Sequence, residues 1–134
     1  MARLQIYLAA LLWGSMTTIG LLVVPSLFVN LETPAVAGQM AARLFEMQTW
    51  VSLSCGLLLV LAAHQQARAQ GLTHSPSPWV LAGVLMALLL EFVVAPHIVA
   101  RDNLKLWHNF GSALYLAQCL CAAKVLWDSH PPAA

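Results

Sequence analysis

Four apolar stretches, at about residues 4–28, 38–63, 79–99 and 104–127, constrain this chain more than any other feature. A helix rising about 1.5 Å per residue needs roughly 20 such residues to cross about 30 Å of hydrocarbon, so each stretch is long enough to span a bilayer. Composition agrees: 60% of the residues are hydrophobic and 8% charged, whereas a soluble domain carries about 25% charged residues. The spans take up most of the 134 residues. The expectation is one all-α domain over 1–134, an integral membrane four-helix up-down bundle whose short connections make successive helices antiparallel.

The remaining composition narrows the partners. Six basic and five acidic residues give a net charge of +1, and no Lys/Arg cluster is dense enough to grip phosphates, so nucleic acid is excluded as a partner and the lipid bilayer is the expected one. Cys55, Cys119 and Cys121 all fall inside apolar stretches without Cys-x-x-Cys spacing and are expected to pack rather than to form disulfides or bind zinc. The first stretch is too long for a secretory signal and no small-x-small site follows it, so it is expected to be retained. HQQARAQGLTHSPSP is expected as a loop between the second and third spans and DSHPPAA as a tail. Arg3, Arg68 and Lys124 on one side balance Arg43, Arg101 and Lys105 on the other, so charge does not fix the orientation.

Polar residues inside the spans are the candidate site. In the second span Gln39, Arg43, Glu46, Trp50 and Ser54 recur at steps of four, three, four and four, and in the fourth His108, Ser112, Tyr115 and Cys119 do the same. Each set makes one stripe on a helix, and a polar stripe is expected to face the bundle interior. Glu91 interrupts the apolar run LLLEFVVAPHIV. Counted along their helices, Glu91, Glu46 and His108 lie about 9, 12 and 6 Å from the same membrane face. These positions predict a buried polar cluster of Arg43, Glu46, Glu91, His108 and Tyr115, with His97 and Arg101 at its mouth. Arg43 would pair with Glu46, and Glu91 with His108. A short internal echo, VVPSLFV against VVAPHIV, ends the first and third spans.

The segment LWGSMTTIGLLVVPSLFVNLETPAVAGQMAARLFEMQTW resembles the transmembrane protein 205-like family, the domain of unknown function 4149. The resemblance rests on Trp13-Gly14, Pro25-x-Leu27-Phe28, Ala37-Gly38 and Leu44-Phe45, and on His108 followed by Gly111, Ser112 and Tyr115. That family carries a His-Gly-x-Ser wording from which this chain departs at Asn109 and Gly111. The resemblance implies a four-helix membrane protein of a bacterial inner membrane.

Three functions compete on these residues. A non-catalytic protein would assemble as a homo-oligomer or within a larger membrane complex, its polar cluster fixing register. A transporter subunit would use the acids and histidine to handle protons, cations or metal. A cofactor protein would ligate haem or a transition metal through His108 and His97, His64 lying toward the opposite face and His74 and His130 outside the spans. No nucleophile with a base and no phosphate loop is present in the sequence, and an enzyme is not expected.

Overall fold

The computed structural model describes residues 2–71 and 76–129; His74 and His130 lie outside them. The first span consists of α1 (Ala2–Thr18), a π-helical turn (Ile19–Val23) and α2 (Val24–Asn30). The second is one long helix, α3 (Pro34–Ala69). The third repeats the first in form, with α4 (Pro78–Leu89), a π-helical turn (Leu90–Val94) and α5 (Ala95–Val99), and the fourth is α6 (Leu104–Asp128). Each span is long and apolar enough to cross a membrane, and there is no strand among the described residues.

α3 outruns its expected bounds at both ends. Thr33 accepts a hydrogen bond from the Val36 amide at 3.3 Å and Pro34 takes the first helical position, where its fixed φ and missing N–H suit a helix start. At the other end Gln65, Gln66, Ala67 and Arg68 are strong helix formers. The stretch 64–69, expected to be loop, is therefore helical.

α1 packs on α3 and α6, and α4 packs on α3 and α6. The helices thus stand around a square in chain order, with α3 diagonal to α6. Connections 31–33 and 100–103 lie on one face, called here the short-loop face. Gly56, Gly20 and Gly111 permit the close approaches. A Cβ on Gly56 would stand 2.5 Å from Val84, one on Gly20 2.6 Å from the Tyr115 ring, and one on Gly111 2.9 Å from Val94.

The echo between first and third spans has a backbone counterpart. Val24 N–H bonds back to the Ile19 carbonyl and Ala95 N–H to the Leu90 carbonyl, each across five residues, and a proline follows at once, Pro25 and Pro96. Proline has no N–H and its ring crowds the carbonyl four residues back; widening the preceding turn relieves that clash. Beyond these turns the packing changes. α2 lies on α3 and α5 on α6, each within its own hairpin, and neither α2 nor α5 contains a buried residue. The bundle is closed in its lower half and loosens into two hairpins toward the short-loop face.

Candidate functional site

At the vertex where the hairpins part, Phe45 of α3 meets Tyr115 of α6 edge to face, with ring centroids 5.1 Å apart. The Tyr115 hydroxyl donates to the Met16 carbonyl at 2.8 Å, and its ring lies over Gly20. Three helices are thereby tied by one side chain, which closes the diagonal of the square.

Glu91 occupies the second position of the third-span π turn and is half-buried. Its carboxylate sits against the Thr49 hydroxyl and within electrostatic reach of the Glu46 carboxylate, both on α3. The Thr49 hydroxyl itself donates to the Phe45 carbonyl at 3.1 Å. Val99 ends the span eight residues on, so this acidic seam lies about 12 Å below the helix end.

The structure divides the expected cluster between two seams. Glu91 faces Thr49 and lies within electrostatic reach of Glu46 on α3. Tyr115 faces α1 instead, and His108, two helical turns before it on α6, is exposed. Glu91 and His108 form no ion pair, nor do Arg43 and Glu46; among the described residues Lys124 pairs with Asp128, and His97 stands within ion-pair distance of Asp102. Arg43, Glu46 and His108 are exposed in the single chain and Arg101 is exposed at the connection. His97 stacks on Trp107 with ring centroids 4.0 Å apart, and its Nδ1 faces Asp102 Oδ2 at 3.3 Å. It fastens the third span to the fourth. His97 and His108 thus serve different surroundings, and among the described residues no group of three or more His, Cys, Asp or Glu is placed to hold a metal ion.

The inward expectation for α3 needs correction. Gln39, Arg43, Glu46, Trp50 and Ser54 all lie on its exposed face, and Trp50 is 59% exposed. The buried face runs through Ala37, Ala41, Gln48, Ser52, Cys55 and Leu59. The physical cause is space: small side chains let helices approach closely in lipid, and neither an arginine nor a tryptophan fits between them. On α6 the inward line is Gly111, Gln118, Cys121, Ala122 and Val125.

Sequence reasoning missed the polar groups that are buried. Gln48 donates from Nε2 to Ser15 Oγ at 3.1 Å and to Ser52 Oγ at 3.4 Å, while Ser15 Oγ donates to the Leu12 carbonyl at 3.1 Å. Gln48 Oε1 is buried without a partner. Below it a cavity of ≈ 20 Å³ is bordered by Ser52, Gly56, Gln118 and Ala122, about the room one water needs. The spacing of Ala37, Ala41, Cys55 and Gly56 was the available signal, since small residues mark the close-packed side of a membrane helix. A shallow groove of ≈ 350 Å³ runs along the first span between Leu22 and Leu31, with Ser26 and Asn30 among its lining.

Residues 7–105 match the family described as domain of unknown function 4149 (DUF4149). The chain belongs to this family. The match takes in most of the first span and all of the second and third and stops at the start of α6, so both π turns, Glu46 and Glu91 lie within the DUF4149 region. Neither a curated protein nor a solved structure matches this DUF4149 chain.

Proposed function

We propose that this DUF4149 protein is a non-catalytic, transmembrane protein 205-like subunit of a bacterial inner-membrane assembly, and that α3 carries the assembly surface. One observation supports this reading above others: Arg43 and Glu46 project from the exposed face of a membrane-crossing helix and have no ion-pair partner among the described residues. A charged side chain at mid-helix costs roughly 2.5–3.5 kcal/mol on insertion scales, a cost that a partner helix can offset by pairing it. Arg43 lies nearer the short-loop face and can extend toward it. Glu46 is shorter and deeper. The measurement is the mass of the full chain extracted from its own membrane into nanodiscs. An assembly larger than one chain, reduced to single chains by Arg43→Leu with Glu46→Leu, is expected; a single chain in both samples overturns the reading.

A second reading has its own support in the Glu46–Glu91 seam. Two carboxylates on membrane-crossing helices favour sharing a proton or a cation, since like charges in a poorly solvated place resist joint ionisation. On this reading the protein is a proton- or cation-handling subunit of a transporter. Proteoliposome proton flux, with Glu91→Gln as the control, separates the two: flux that is lost in the variant selects the second reading, and no flux in either leaves the assembly role.

A further inference from the structure

Building on the assembly reading, we infer that the partner of the α3 face is a second copy of this chain, packed α3 against α3 about a two-fold axis along the membrane normal, with Arg43 of each copy paired to Glu46 of the other. In a pair whose copies share one membrane orientation, the two-fold axis lies along the membrane normal and places the two α3 helices parallel, with equal residues at equal depth. Residues 39, 43, 46, 50 and 57 on the exposed face follow steps of four, three, four and seven. That is the heptad spacing by which two parallel helices mesh along one seam. Four of the residues that suggested an inward stripe, at 39, 43, 46 and 50, fit an intermolecular seam on this exposed face.

The chemistry of the seam is self-complementary. Arg43 and Glu46 are about one helical turn apart, an axial offset of about 4.5 Å that an arginine side chain spans easily. In a two-fold pair the arginine of one copy meets the glutamate of the other twice, so both charges on each chain are neutralised together. One turn deeper, Trp50 stands next to Ser54 on the exposed face, and a large ring beside a small side chain offers the knob and the gap for its symmetric mate. Gln39 sits at the end of the seam toward the short-loop face and supplies an amide to the same pairing. The exposed Leu57 continues the seam as an apolar contact.

The test uses the full chain, labelled with donor and acceptor dyes and reconstituted into phosphatidylethanolamine and phosphatidylglycerol liposomes, with energy transfer followed as lipid dilutes the protein. Self-association of the wild type is expected. Arg43→Glu alone, and Glu46→Arg alone, should each weaken it about 10- to 100-fold, since tenfold corresponds to a modest change in pairing energy. Mixing these two variants should restore energy transfer between them, because each then meets its opposite charge. Pairing inside one chain predicts no such rescue. Independently of those charges, Gln39→Cys and Ser54→Cys, in a background with Cys55, Cys119 and Cys121 changed to Ser, should cross-link between copies, while the exposed Ser112→Cys on α6 should not. Charge variants that associate like the wild type, a mixture no better than its components, or equal cross-linking at position 112 each overturn the second-copy pairing. A wild type that is single in liposomes but joins a different protein in its own membrane through Arg43 and Glu46 overturns it while leaving the assembly reading intact. A chain that stays single in both settings overturns both.

Discussion

The turns Ile19–Val23 and Leu90–Val94 each widen a helix just ahead of a proline, yet the second residue of the turn is Gly20 in the first span and Glu91 in the third. Where glycine stands, the Tyr115 ring closes directly onto the backbone and the position becomes packing. Where glutamate stands, the same backbone geometry delivers a carboxylate to Thr49 and toward Glu46 on the neighbouring helix. π turns recur at functional positions, but here the turn only sets the direction. The side chain decides whether that direction is filled by a ring or by charge.

The sharpest way to break this contrast is to fill the glycine. Gly20→Leu should destabilise the bundle by about 2–3 kcal/mol, because its Cβ would overlap the Tyr115 ring and overpacking typically costs this much. Gly14→Leu, whose Cβ meets nothing nearby, should change stability by less than about 0.5 kcal/mol. Reversible unfolding in mixed detergent reads both. Equal losses at the two glycines would show that ring packing is not what distinguishes the first turn.

A smaller effect is expected from Tyr115→Phe, which keeps the ring over Gly20 but removes the bond to the Met16 carbonyl. A loss of about 1 kcal/mol in the same unfolding assay fits one hydrogen bond, and no loss would mean that the ring alone holds the vertex. The two short connections extend the comparison. After the third span Arg101 and Asn103 adopt φ of 58° and 40°, whereas no described residue of the 31–33 connection has positive φ. Arg101→Gly should raise stability by up to about 1 kcal/mol by relieving the left-handed backbone, while Glu32→Gly, made where no such strain exists, should lower it slightly. Smallest of all should be Glu91→Gln. It preserves shape and removes a like charge facing Glu46, so stability should hold within about 0.5 kcal/mol; a loss well above 1 kcal/mol would make the Glu91 carboxylate a structural element rather than a site.

Much of the fold was legible because it rests on local signals. The lengths of the apolar runs set four spans, and Pro25 and Pro96 lie beside the two departures from regular helix, whereas the helix start at Pro34 fell before the expected bound of residue 38. The pairing of side chains was less legible. Glu91 was singled out as an acid inside an apolar run, but the third-span turn aims it at Thr49 and toward Glu46, while His108, expected beside it, is exposed on α6. Gln48 and Ser52, uncharged and scattered among apolar neighbours, gave little warning that they would form the buried polar link to Ser15.

By itself, the sequence determined that this chain forms four membrane-crossing helices, which residues share a stripe on each, and which family it belongs to. Only the tertiary structure decided which stripe looks inward. In water the apolar side of a helix identifies the core, but in a bilayer both the core and the surroundings are apolar, so hydrophobicity no longer distinguishes them. What separates them is how closely two backbones must approach, and that depends on the neighbouring helix rather than on the stripe alone.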